Sequence, residues 1–235
     1  MKLVTYRKTK TSKARLGVIN DGQVTDVQKL GLLSGSQLPD TMLRLIDLGP
    51  DATFALSNLL NKKETRLPPG ISVPVENVTL LAPIPTPRKN IFGIGLNYVE
   101  HVAESAKNLD TAKDLPTKPV VFSKPPTAVI GTGDSIQHNS KMTQQLDWEV
   151  ELAVIIGTKA TRIEAKNAMD HVFGYSIMND VSARDNRRAG QWIFSKGQDT
   201  FAPFGPCIVT KDEITDPHNL NLWLKKNGVE KQSSN

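Results

Sequence analysis

The sequence predicts an α+β protein that is mainly β, with a small α+β module over residues 1-72 leading a larger β-rich domain over residues 73-235. Three observations carry this reading. Alternating or β-rich runs crowd the chain after residue 73, only two segments there have helical spacing, and a Pro- and Gly-bearing stretch sets that part off from the beginning.

Taken in order, "RLGVINDGQVTDV" places Asn20-Asp21-Gly22 between two alternating apolar runs, the turn chemistry of a β-hairpin. In "PDTMLRLIDLGP", Asp40 stands where a helix N-cap belongs, Gly49 where the helix should stop, and Pro50 just beyond. "DATFALSNLLNKK" repeats the helical spacing, and "RLPPGISVPVENV", from Arg66 to Val78, reads as a linker. Past it, "KNIFGIG", "KPVVFSK", "EVELAVIIG", "VFGYSIMND", "GPCIVT" and "LNLWLKKNG" read as strands, with "NYVEHVAESAKN" and "RIEAKNAMDHV" as helices between them. Many strands with few helices favour a curled β-structure over a doubly wound parallel sheet. The final "LNLWLKKNGVEKQSSN" reads as a strand, an Asn227-Gly228 turn and a returning strand. A β-domain ending there would leave an unprotected edge, so the chain reads as a shortened form of something longer.

Composition sets the limits. With 235 residues, 38% hydrophobic and 23% charged, the chain can bury a substantial core. The net charge of +5 is spread over scattered Lys and Arg, without the basic and aromatic interleaving of a nucleic-acid surface. A small anionic partner accounts for it. Cys207 is the single cysteine, which excludes an intrachain disulfide, and its apolar setting fits a buried structural thiol. No apolar run reaches the roughly 18 residues of a membrane span, and "MKLVTYRKTK" is no signal peptide, so a cytoplasmic protein with no membrane partner is expected.

The chain lacks G-x-S-x-G, H-E-x-x-H, C-x-x-C and the phosphate-binding G-x-x-x-x-G-K-[ST]. In "GIGLNY", Tyr98 takes the place of a dinucleotide fingerprint's third glycine, and a tight strand-to-helix turn explains Gly93 and Gly95 more simply. Four clusters remain. "LDWEVELAVIIG" puts Asp147, Glu149 and Glu151 on one face of a strand heading into the core, a pattern that asks for open solvent or a cation. Asp180, in "IMNDVSARD", is either a turn-former with Asn179 or a functional acid. His101 and Glu104, at i and i+3, share one helix face as an acid-base pair or as ordinary exposed polar residues. Lys196, in "SKGQDTFAPFGP", holds an anion or is solvated.

"GLNYVEHVAE", "VFSKPPTAVIGTGDSI", "LDWEVELAVIIG", "NDVSARD" and "SKGQDTFAPFGP", in this order, resemble the fumarylacetoacetate hydrolase family over roughly residues 80 to 235, and the leading module is similar to the small N-terminal domain of many bacterial members. The resemblance implies a mixed β-roll with a pseudo-barrel, assembled as a homodimer. It assigns Glu149, Glu151 and Asp180 to a divalent cation, Mg²⁺ or Mn²⁺ with Ca²⁺ as a third option. It gives His101, Glu104 and Lys196 catalytic roles and places Lys124, Arg184, Arg187 and Thr200 around the substrate. Arg187 stands where many members carry Gln, and a cation there suits a second carboxylate on the substrate. A later T-G-T-P segment of the family is absent from these residues. The implied activity is metal-dependent C–C hydrolysis of an acylpyruvate or diketo acid of the fumarylacetoacetate or fumarylpyruvate kind, in organic-acid or aromatic catabolism. Alternatives on the same site are a 2-hydroxyhepta-2,4-diene-1,7-dioate isomerase and a 2-oxo acid decarboxylase; from another class, a non-catalytic metal- or ligand-binding protein.

Overall fold

A computed structural model describes residues 1–61, 68–98, 117–188 and 191–235. In chain order these form β1 (Lys2–Arg7), β2 (Arg15–Asn20), β3 (Gln23–Asp26), α1 (Val27–Leu33), α2 (Met42–Leu60), β4 (Ser72–Pro74), β5 (Thr79–Leu80), β6 (Ile91–Gly95) and β7 (Val120–Lys124). Then follow β8 (Val129–Ile130), β9 (Leu146–Asp147), β10 (Val150–Ile156), β11 (Val172–Asn179), β12 (Ser182–Ala183), α3 (Ile193–Lys196), β13 (Ala202–Pro203), β14 (Ile208–Thr210), β15 (Leu222–Lys226) and β16 (Val229–Ser234). The mainly β expectation holds, and every strand-like run named from the sequence carries a strand.

The chain forms two compact units, Met1–Pro85 with Leu152–Ile177 and Phe204–Thr215, and Thr86–Glu151 with Met178–Pro203 and Asp216–Asn235. Residues 1–72 fall within the first unit, and 73–235 contribute to both.

An eight-stranded sheet runs β10-β11-β14-β1-β2-β3-β4, with β5 also pairing β1. The predicted hairpin turn is present between β2 and β3, where Asp21 and Gly22 both take positive φ (47° and 71°), the requirement of a two-residue type I′ turn. One sheet face buries Val4, Tyr6 and Val24, with Ile19, Val73, Leu80 and Cys207 packed against them. Cys207 is thus partly buried, as its setting predicts, and burial pushes its thiol pKa up.

Four local expectations are corrected. Thr41, not Asp40, caps α2, accepting from the Arg44 amide, while Asp40 pairs with Lys13 at 2.9 Å. The segment read as a linker contains β4, which pairs antiparallel with β3; its prolines are tolerated because β4 is an edge strand. "RIEAKNAMDHV" forms a 3₁₀ helix over Ala165–His171 rather than an α-helix. The predicted stop at Gly49 is a kink, with φ 76° and Pro50 following, inside a helical stretch that continues to Leu60.

Asp26 ties this unit together. Buried at the end of β3, its carboxylate caps α1 through the Lys29 amide (2.9 Å), accepts from the Tyr6 hydroxyl (2.9 Å) and is chelated by Nε and Nη2 of Arg15. Burial opposes its ionisation, but the Arg15, Lys29 and Tyr6 hydrogen bonds outweigh burial and hold its pKa below the usual carboxylate value. Asp26→Asn is expected to cost about 3 kcal/mol at neutral pH, the low end for breaking a buried pair because Arg15 keeps some solvent contact. Since the folded pKa lies below the unfolded one, the wild-type advantage is full above the unfolded value and shrinks as pH falls through the folded value. Urea unfolding of both proteins from pH 7 to pH 3 reads this directly.

In the second unit β6 pairs with β7, β9 with β12 and β15 with β16, all antiparallel, and β8 lies parallel to β13. Val181, Ala183 and Phe201 form its small core with Leu146. The turn between β15 and β16 is Asn227-Gly228, both at positive φ (52° and 79°), as predicted. Gly93 and Gly95 serve a different purpose from the expected turn. They lie within β6, where a Cβ on Gly93 would stand 2.1 Å from the Phe122 ring and one on Gly95 3.0 Å from Trp192. These glycines make room for two aromatic rings.

Candidate active site

The second unit gathers the charged residues. Glu149 immediately precedes β10, and its main chain is fixed on both sides: its amide donates to Asn179 Oδ1 (3.1 Å), and its carbonyl accepts from the Asp180 amide (2.7 Å). The end of β11 therefore sets Asp180 beside Glu149, although 31 positions separate them in the chain. Pairing of β9 with β12 places Asp147 opposite Ser182 and brings Arg184 within reach. Arg184 donates from Nε and Nη2 to Asp147 Oδ2, both at 2.8 Å, and its Nη1 lies 2.6 Å from Glu149 Oε1. Asp147 and Glu149 share one guanidinium, the facing that strict alternation implies.

Lys196, at the end of α3, is buried with its ammonium between Glu149 Oε2 (2.5 Å) and Asp180 Oδ2 (2.6 Å). The solvated reading of this lysine is excluded. Lys124, only 1% exposed, donates to the carbonyls of Val181 (2.9 Å), Lys196 (2.6 Å) and Phe201 (2.9 Å) and stands 2.7 Å from Asp180 Oδ1. Burial pulls its pKa down to about 8, against the favourable charge of Asp180. At Asp180 the balance reverses: burial opposes ionisation, but the charges of Lys124 and Lys196 outweigh it and lower the pKa.

An ammonium has three hydrogens. The Lys124 ammonium shares its hydrogens among the three carbonyls and pairs by charge with Asp180 Oδ1. Glu151 has no hydrogen bond or ion pair among the described residues, and burial first, then repulsion from Glu149 and Asp180, pushes its carboxyl up to about 8. Glu151 thus lacks a donor among the described residues in a charged, desolvated place, and the carboxylates around it are hard oxygen donors. That fits Mg²⁺ or Mn²⁺. Among the described residues no group of three His, Cys, Asp or Glu side chains stands at metal-holding spacing, and Lys196 stands between Glu149 and Asp180.

Arg187 follows a 3₁₀ turn at Arg184–Asn186, and its guanidinium carbon stacks 3.9 Å above the Trp192 ring. Thr200 is a non-glycine residue with φ 68°, and its hydroxyl accepts from the Gln137 amide at 2.7 Å. His101 and Glu104, with the predicted helix that carries them, lie outside the described residues. Sequence reasoning missed the part played by Phe122 and Trp192; the signal available was the pair Gly93 and Gly95, whose missing side chains accommodate those rings.

A mainly β scaffold thus buries acids and lysines together in one cluster. The family model for the fumarylacetoacetate (FAA) hydrolase C-terminal region matches residues 90–235. The chain is 39% identical over 240 residues to "Oxaloacetate tautomerase FAHD2A, mitochondrial" of Bos taurus, covering 100% of this chain and 71% of that protein. Among solved structures, maleylpyruvate hydrolase from Sphingobium sp. SYK-6, in complex with manganese(II) and pyruvate, matches with TM-score 0.74 and 28% identity, over 100% of this chain and 76% of that one. The 2-hydroxyhepta-2,4-diene-1,7-dioate isomerase from Mycobacterium marinum matches with TM-score 0.69 and 28% identity, over 100% and 74%. The chain belongs to the fumarylacetoacetate hydrolase family. No helix among the described residues is long and apolar enough to cross a membrane.

Proposed function

We propose that the protein is a divalent-metal-dependent enzyme that enolises a short-chain 2-oxo acid, with keto–enol tautomerisation of oxaloacetate as its reaction. The observation that carries this reading is the convergence of Glu149, Glu151 and Asp180, in which burial and then the charges of Glu149 and Asp180 push the Glu151 carboxyl up to about 8, a repulsion among hard oxygen donors that a divalent cation would offset. The relative named for oxaloacetate tautomerisation has the higher identity, 39% against 28% for the hydrolase, and this moves enolisation ahead of the C–C hydrolysis expected from sequence.

A divalent cation held by Glu149, Glu151 and Asp180 would supply Lewis acidity at the substrate's 2-oxo oxygen. The chain's own residues account for the rest. Arg184 holds Glu149 Oε1 and so fixes the direction of the other oxygen of that carboxylate. The Lys196 ammonium, desolvated and aimed at the same carboxylates, is the donor for the oxyanion that develops on the 2-oxo oxygen as C3 loses its proton. His101, with Glu104, is assigned the proton at C3, taken on enolisation and returned on ketonisation, while the proton of the enol hydroxyl is gained from and lost to water. His101→Ala is expected to lower turnover by roughly two to four orders of magnitude while leaving divalent-metal affinity unchanged. Full activity in that variant would assign the proton transfer elsewhere.

Hydrolysis is the second reading, favoured by the structural match to a maleylpyruvate hydrolase holding pyruvate, because C–C cleavage of an acylpyruvate also releases an enolpyruvate. Following enol oxaloacetate by ultraviolet absorbance, alongside acid release from acylpyruvates, separates the two. Loss of the enol band without acid release supports tautomerisation; cleavage of acylpyruvates with uncatalysed oxaloacetate ketonisation overturns it. The homodimer and the cytoplasmic setting expected from sequence are part of this proposal.

A further inference from the structure

The hairpin β15–β16 grips the chain on both sides of Glu149. The Lys226 ammonium lies 4.1 Å from the centre of the Trp148 ring, and Gln232 Oε1 accepts from the Val150 amide at 2.8 Å. The second contact falls on a peptide unit already held from its other edge, because the Glu149 carbonyl accepts from the Asp180 amide at 2.7 Å. A trans peptide is planar, with its C=O and N–H pointing in opposite directions. This one plane is therefore pinned between the end of β11 and the side chain of Gln232.

The pinned plane is the joint between two acids of the cluster. Turning it changes ψ of Glu149 and φ of Val150, and so swings the Glu151 carboxylate relative to that of Glu149. A small cation such as Mg²⁺, bound at roughly 2.1 Å in near-ideal octahedral geometry, tolerates little error in that separation.

The hairpin is built to present this side chain. β16 pairs Glu230 with Lys225 and Gln232 with Leu224, which leaves Lys231 as the extra residue of a β-bulge. In a regular strand Glu230 and Gln232, two apart, would share one face. The bulge reverses that: Glu230 stays exposed, while Gln232 turns to the half-buried face that carries Leu222, Leu224 and Ser234. Pairing with β15 alone does not require the turn, and the bond to the Val150 amide uses it.

We infer that Gln232 is a positioning residue for the cation site, fixing the peptide plane between Glu149 and Val150 and through it the separation of the Glu149 and Glu151 carboxylates. The inference deepens the proposed function and rests on it for the cation.

The test reads local protection and metal binding rather than turnover. Metal-stripped intact chain is titrated calorimetrically with Mn²⁺, and amide hydrogen exchange is followed at Val150 and along the hairpin. Gln232→Met keeps the length of the side chain and removes the amide oxygen. It is expected to speed exchange at Val150 by roughly tenfold, the loss of one hydrogen bond, while exchange within β15 and β16 stays as in the wild type. Mn²⁺ binding should weaken by roughly tenfold to a hundredfold, the range for groups that act behind a ligand. Gln232→Glu, which keeps an acceptor at the same reach, should restore both, and Ser233→Glu, on the exposed face, gives the effect of the added charge alone. Faster exchange throughout the hairpin, with Gln232→Glu no better than Gln232→Met, would mean a role in hairpin stability only and overturn the inference. Unchanged Mn²⁺ affinity in Gln232→Met would overturn it alone, whereas a wild-type chain with no Mn²⁺ affinity would discard the cation site proposed above and the inference with it.

Discussion

Lys124→Met is expected to destabilise the protein by about 4 kcal/mol, the cost of breaking a buried ion pair by removing one partner. The side chain is nearly isosteric along its stem, so the variant removes charge and donors more than volume. Three carbonyls, of Val181, Lys196 and Phe201, lose their donor at once, and Asp180 loses one of its two cations. Those carbonyls belong to the three segments that carry Asp180, Lys196 and Thr200, so the same substitution should loosen the site. Denaturant unfolding gives the stability loss, and a change under about 1 kcal/mol would show that the knot contributes little. The sequence grouped Lys124 with substrate contacts; its geometry gives the ammonium a role in holding the walls of the site in register.

Glu149→Gln is expected to lower divalent-metal affinity by more than about a hundredfold, above the 10- to 100-fold range for groups that act only behind a ligand. Gln keeps the shape and one oxygen but removes the charge that faces Arg184, Lys196 and, when present, the cation. Both Arg184 and Lys196 retain a carboxylate in that variant, Asp147 and Asp180 respectively, so the fold should survive. Calorimetric titration of metal-stripped protein with Mn²⁺ is the measurement, and unchanged affinity in a folded variant would falsify the placement of the cation. A far-ultraviolet spectrum matching the wild type separates this result from simple unfolding.

How much of this was legible beforehand can be argued residue by residue. Asp21-Gly22 and Asn227-Gly228 were readable because positive φ at both turn positions demands those residue types, a purely local requirement. The alternation Asp147, Glu149, Glu151 suggested one strand, whereas the chain leaves β9 after Asp147 and enters β10 at Val150, with Glu149 in neither. What Lys196 faces was not readable, since a lysine in a Gly-rich loop has the same local signature whether it meets water or Asp180. The linker reading of Arg66 to Val78 failed in part at β4 for a related reason: prolines argue against a central strand, and only pairing with β3 reveals that the segment is an edge. Gly93 and Gly95 were noticed and misread, because a glycine that makes room for a ring thirty or a hundred residues away looks like a glycine that makes a turn.

By itself the sequence determined the mainly β class, the turns, the family and the residue types able to hold a cation, since each depends on local backbone preference or on motifs in fixed order. Only the tertiary structure decided which charges meet. The β9–β12 pairing delivers Arg184 to Asp147 and Glu149, the β11 terminus delivers Asp180 to the same place, and buried Lys124 and Lys196 each meet one oxygen of Asp180. Those outcomes depend on long-range strand pairing and on a finite number of hydrogen-bond donors in a space without water, and neither is encoded at any single position of the chain.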